Sequence, residues 1–163
     1  MNSILRVGLA VGLLLTGYAC YAQEEVVGVS NPEALFHDKN PKLDRNKQAA
    51  YHIFKDLLEA NHWDLAGNWL TEKYIQHNPN AASGLKGVVY YFTQVAKREP
   101  TPIPDKLVKT KIVSVVAQGD YVVVATPRAG KDKEGKPFTT TWFDMWRFVD
   151  GKADEHWDGA TRQ

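Results

Sequence analysis

An α+β fold, with three N-terminal helices laid across a curved antiparallel sheet, is predicted by three features of this 163-residue sequence. Apolar residues recur at helical spacing between Arg45 and Ala96. After Pro104 the chain turns to β-branched runs. Near its end Asp150-Gly151 separates two alternating segments, a strong short-range mark of a hairpin. Helices first and strands afterwards is the order of an α+β plan, the helices covering one face of the sheet.

Met1–Ala22 reads as a secretory signal peptide: Arg6 is the charged start, Val7–Tyr18 the apolar core, and small residues follow. That core is too short to remain as a membrane anchor. An exported protein, periplasmic or secreted, with no stable membrane insertion after cleavage is expected. A lipoprotein held through Cys20 is the lesser alternative, because Gly17 stands where a lipobox carries leucine. Cys20 is the one cysteine, so the domain is expected to rest on packing without a disulfide. Residues 23–41 hold Asn31-Pro32 and Asn40-Pro41 and read as a linker or N-terminal arm, leaving 42–163 as the folded domain.

Ala50, Ile53, Phe54, Leu57 and Leu58 form the apolar stripe of a helix over Arg45–Ala60, with Asp44 as its cap. A short helix follows over Trp63–Leu70, then a brief extended piece, Tyr74–Gln76, stopped by Asn78-Pro79. Ser83 is placed to cap a third helix striped by Leu85, Val88, Val89, Phe92, Val95 and Ala96. Pro100, Pro102 and Pro104 end it. Strands are expected over Lys106–Ala117, Asp120–Thr126, Phe138–Val149 and Lys152–Asp158.

Formal net charge is +1, with 44% hydrophobic and 24% charged residues, ordinary values for a globular domain. No basic stripe or reading motif points to nucleic acid. The histidines show no HxH or HExxH pattern, so a metal site is not expected. No nucleotide or nucleophile-elbow motif is present either.

The final hairpin concentrates ionisable and aromatic groups, and its register decides whether they meet. With Asp150-Gly151 as a two-residue turn, Val149 opposes Lys152 and Asp144 opposes Trp157. With Gly151 in a bulge, Phe148 opposes Lys152, and Trp142, Asp144, Trp146, His156 and Asp158 share one face. A one-residue slip reverses every side chain. On a shared face His156 and Asp158 lie roughly 7 Å apart, Trp142 and Trp146 give apolar walls, and Asp144 and Asp158 can divide acid and base roles. The structural alternatives are a surface Asp158 and an Asp144 neutralised by Arg147 or His156.

Tyr74–Pro79 (YIQHNP), Gly84–Phe92 (GLKGVVYYF), Phe143–Arg147 (FDMWR) and Gly151–Asp158 (GKADEHWD) together resemble the SnoaL-like polyketide cyclase family of the nuclear transport factor 2-like superfamily. The resemblance spans about Lys42 to Asp158. It implies a cone-shaped fold around a cavity for a small apolar or carbonyl-containing molecule, and aldol/cyclase, isomerase or hydrolase chemistry without cofactor. It aligns Asp158 with the family's catalytic acid/base on the last strand. Asn78 aligns with a polar residue used toward substrate, where its amide could hold a carbonyl or enolate oxygen, and His77 and Tyr74 beside it are expected to line the cavity. Cyclase members carry a histidine where this chain has Asp144, which bears on the reaction and not on the cavity. The resemblance favours the bulged register. A non-catalytic exported module for a hydrophobic ligand is the alternative function, and a homodimer through the exposed sheet face is a further expectation.

Overall fold

The computed structural model describes residues 24–162, so the expected signal peptide and Cys20 lie outside the described residues. The arm before the first helix is bound to the domain. Val26 N–H donates to Thr139 Oγ1 (2.8 Å) and Val29 N–H to the Ile112 carbonyl (2.8 Å). Glu33–Phe36 makes a single helical turn that drives Phe36 fully into the core, a burial that contributes about 1.5–3 kcal/mol.

Helix α1 (Pro41–His52) begins before the expected Arg45 start, and Asn40, not Asp44, caps it. The Asn40 side chain accepts from the backbone of Lys42 (3.0 Å) and Leu43 (3.4 Å), and Pro41 occupies the first helical position, where a missing N–H loses nothing. Asp44 instead accepts from the backbone of Asp38 (2.9 Å) and ties down the arm. Beyond His52 the helix continues in wide π turns over Ile53–Glu59. A 3-10 turn (Trp63–Leu65) and the short α2 (Ala66–Trp69) lead into β1 (Leu70–Gln76).

Ser83 does not cap the third helix. Its hydroxyl accepts from Gln76 N–H (3.0 Å), and α3 (Leu85–Tyr90) starts after Gly84, whose φ of +86° suits glycine. This helix too widens into π turns, over Tyr91–Val95.

Strands β2 (Ser114–Gln118), β3 (Tyr121–Lys131), β4 (Pro137–Val149) and β5 (Lys152–Trp157) complete a five-stranded sheet in the order β1-β5-β4-β3-β2. The expected strand over Lys106–Ala117 forms only from Ser114. The buried Glu59 carboxylate collects the backbone N–H groups of Val108 (2.9 Å), Lys109 (3.1 Å) and Thr110 (2.9 Å), leaving those donors none for a ladder. The extended piece at Tyr74–Gln76 is part of a fifth strand, and β1 runs parallel to β5, so the sheet is mixed.

The β4–β5 hairpin follows neither expected register throughout. Its turn is the two-residue form, with Val149 opposite Lys152 and positive φ at both Asp150 (50°) and Gly151 (79°). An extra residue then enters at Asp154: Ala153 opposes Phe148, Glu155 opposes Arg147, and Trp146 meets His156. The bulge therefore exists, but within β5 and not at Gly151. One inserted residue reverses the facing again, so His156 joins Asp144 and Trp146 on the inner face after all.

Charge holds the bulge. Asp154, 1% exposed, accepts from Thr71 Oγ1 (2.8 Å) and pairs with Lys73 (3.2 Å) and Arg147 (2.5 Å), while Arg147 Nε donates to Glu155 (3.0 Å). Burial pushes the Asp154 carboxyl up, but the bonds from Thr71, Lys73 and Arg147 outweigh it and leave the group below its ordinary 3.8. Burial also acts on Glu59, and its three backbone bonds again win, leaving it below 4.5. Because both groups are depressed in the folded state, their stabilisation is complete above about pH 4.5 and is lost as pH falls below those values. Asp154→Ala is expected to destabilise the domain by about 1.5–3 kcal/mol in urea unfolding near neutral pH, and by much less in acid where the native carboxyl is protonated.

Candidate functional site

Between the helices and the inner sheet face lies a cavity of about 100 Å³, several times the roughly 10–15 Å³ that one water requires. Ile53, Leu57 and Leu58 from the first π stretch and Tyr91 and Phe92 from the second form much of its helical wall. Trp63, stacked on Phe92 at 3.8 Å, closes the same side. The sheet side is different: Tyr74, Gln76, Asn78, Asp144, Trp146, His156 and Asp158 bring most of the polar atoms.

His156 is 6% exposed and stands at the centre. Its Nε2 lies 3.0 Å from Asp144 Oδ1 and its Nδ1 2.9 Å from Gln76 Oε1. The ring stacks with Trp146 (4.9 Å) and with Tyr74 (6.4 Å). Gln76 sets the role of Nδ1. Its Oε1 accepts the backbone N–H of Asn78 (3.0 Å), so that atom is the amide oxygen and Nδ1 of His156 must donate to it. Nε2 then faces a carboxylate. A hydrogen bond there needs a proton on the ring or on Asp144.

Asp158 is arranged otherwise. Its Oδ2 accepts from Asn78 Nδ2 (2.8 Å) and its Oδ1 from Ala160 N–H (2.8 Å). Both oxygens act as acceptors, and the residue lines the cavity. Asn78 thus gives one of its two amide protons to Asp158 while remaining part of the cavity wall. Among the described residues, Asp144, His156 and Asp158 are also the one His and carboxylate group whose ligand atoms, within 4.8 Å of one another, could hold a metal ion. Spacing motifs missed this set because its members come from two strands.

Two expected lining residues are elsewhere. His77 alternates with Gln76 and Asn78, so it leaves by the outer face, where it bonds Glu155 (2.9 Å) and stacks on Trp157 (5.0 Å). Trp142 shares the inner row of β4 but lies beyond the cavity, covered by the Arg128 guanidinium at 4.0 Å. Gln76 is the residue the sequence reading omitted. Its signal was its place two residues after Tyr74 and two before Asn78, the spacing of one strand face.

The SnoaL-like domain model matches residues 50–156, about two thirds of the chain. The chain belongs to the SnoaL-like domain family. Solved structures agree on the fold. A candidate SnoaL-like polyketide cyclase from Jannaschia sp. is 17% identical with a TM-score of 0.52, covering 76% of this chain and 91% of its own. A candidate polyketide cyclase from Acidithiobacillus ferrooxidans is 16% identical with a TM-score of 0.51, covering 70% and 86%. A nuclear transport factor 2-like protein of unknown function from Burkholderia pseudomallei is 15% identical with a TM-score of 0.50, covering 72% and 91%. A comparison with curated protein sequences gives no match. No helix among the described residues is long and apolar enough to cross a membrane.

In this SnoaL-like domain the Gln76 bond should be visible in solution. Imidazole nitrogen NMR is expected to show His156 Nδ1 protonated near neutral pH. Gln76→Leu, which leaves that buried donor unpaired, should lower unfolding free energy by about 1–3 kcal/mol. An unprotonated Nδ1 in the wild type would contradict the arrangement.

Proposed function

We propose that this SnoaL-like domain catalyses acid/base chemistry on a small, largely apolar carbonyl compound, without cofactor. The supporting observation is the pairing of two unlike acidic groups on one wall of an apolar cavity. Asp158 accepts a hydrogen bond at each oxygen, and Asp144 is hydrogen-bonded to His156. A site for an apolar ligand alone has little need of partly desolvated carboxylates. In this reading Asp158 takes a proton from carbon α to the carbonyl and returns it, Asn78 orients Asp158, and Asp144–His156 is the second acid. Aldol/cyclase, isomerase and hydrolase reactions all use such a pair.

Export is proposed with it, on the Met1–Ala22 pattern. A homodimer is proposed through the outer sheet face, where Val116, Tyr121 and Phe143 are exposed on three adjacent strands. Val123, Met145 and Trp157 fill the row that begins at Val116, giving a continuous apolar surface of the kind that marks an interface.

Incubation of the mature protein in deuterated buffer with small ketones, β-keto esters and enones should show loss of α-proton NMR signal. Asp158→Asn is expected to slow that exchange by about 10²-fold or more, and EDTA treatment to leave it unchanged. Binding of panel members without Asp158-dependent exchange would favour the non-catalytic ligand module. Sedimentation should give a dimer for the wild type and a monomer for Phe143→Glu; a wild-type monomer would remove the dimer proposal.

A further inference from the structure

Resting on the acid/base reading above, we propose that Tyr74 is a catalytic residue, whose hydroxyl donates the hydrogen bond that holds the substrate's carbonyl oxygen as it becomes an enolate. The position of its neighbours carries this. Tyr74 is 4% exposed and belongs to the cavity wall. Trp146 Nε1–H donates to its oxygen at 3.2 Å. Indole N–H can only donate, so the tyrosine's own proton must point elsewhere. Among the described residues it meets no protein acceptor, and the open space that Tyr74 borders is the cavity.

A buried donor without an acceptor costs free energy until something accepts from it. Accepting from Trp146 also polarises the O–H and strengthens it as a donor. Burial pushes the hydroxyl well above the ordinary tyrosine range despite the Trp146 bond, and the charges of Asp144 and Asp158 push it the same way. The group therefore remains a neutral donor at physiological pH. Asn78 already gives one amide proton to Asp158, and Tyr74 supplies a donor on the same wall that has no partner of its own to serve.

The step balances within the site. A carboxylate oxygen of Asp158 forms an O–H bond as the substrate's α C–H bond breaks, and that electron pair becomes the carbon–carbon double bond of the enolate. The carbonyl π pair moves onto oxygen, where Tyr74 O–H meets it. Reversal in deuterated water returns a deuteron to carbon. The ligand implied has an oxygen and an acidic α carbon close enough to reach Tyr74 and Asp158 together, on an otherwise apolar frame.

The test separates the oxygen from the base. In the Asp158→Asn background, where the amide imitates the protonated acid, para-nitrophenolate serves as an enolate-like probe and nitrobenzene as its neutral counterpart. Adding Tyr74→Phe is expected to weaken the phenolate by roughly 10- to 100-fold while nitrobenzene binds both proteins alike, which also reports an intact cavity. With Asp158 present, Tyr74→Phe should slow exchange about 10²-fold at saturating carbonyl compound, with KM little changed. No phenolate binding by Asp158→Asn, or equal phenolate affinity with and without Tyr74, overturns the proposal for Tyr74. An exchange rate indifferent to Asp158→Asn overturns the acid/base reading itself, whatever the phenolate does.

Discussion

The buried Asp154 carboxylate fixes the inner face of this sheet. The Asp150-Gly151 turn alone sets a register in which His156 would leave by the outer face, and the residue inserted at Asp154 turns it back. Such an insertion interrupts a ladder and needs compensation. Here it comes from Thr71 and Lys73 on β1 and Arg147 on β4, which converge on Asp154. The strands flanking β5 thus both grip the extra residue, and the cavity's chemistry depends on a cluster that does not line it.

The arrangement divides labour between the two sheet faces. Outward, Arg147, Glu155 and His77 form an exposed or half-exposed chain of charges. Inward, charge appears only where it is shared or hydrogen-bonded, as with Asp144 against His156 and Asp158 against Asn78. An isolated charge among the tryptophans would be too costly to keep. The wide helical turns contribute on the other side, since both π stretches present side chains to the cavity, a placement often found at functional sites.

Much of this was legible in the sequence, for reasons particular residues make plain. The α+β class followed from period and composition, and the hairpin from Asp150-Gly151. Asp144, Trp146, His156 and Asp158 could be grouped because a strand's period places alternate residues together. The grouping survived an incorrect turn, since two different bulges give the same facing. Long-range polar bonds were not legible. Glu59 capturing the backbone of Val108–Thr110 removes part of an expected strand, and nothing local in that β-branched run announces it. Asn40 outcompeting Asp44 as a cap was readable from Asn40-Pro41, with proline at the first helical position. The parallel pairing of β1 could not be read from seven residues of mixed polarity.

The sheet order has a consequence for how the domain comes into being. The last strand of the chain lies between the first strand and β4, so β1 has no partner in the sheet until residues some eighty positions later have been synthesised. Helices α1 to α3 and the β2–β3–β4–β5 meander rest on local connections, whereas the parallel pairing of β1 with β5 spans most of the domain. Loop closure of that span is slow compared with local hairpin formation. Gln76 meets His156, and Asn78 meets Asp158, across that same pairing. The cavity's polar wall therefore depends on the most sequence-distant pairing in the sheet, the slowest kind to form.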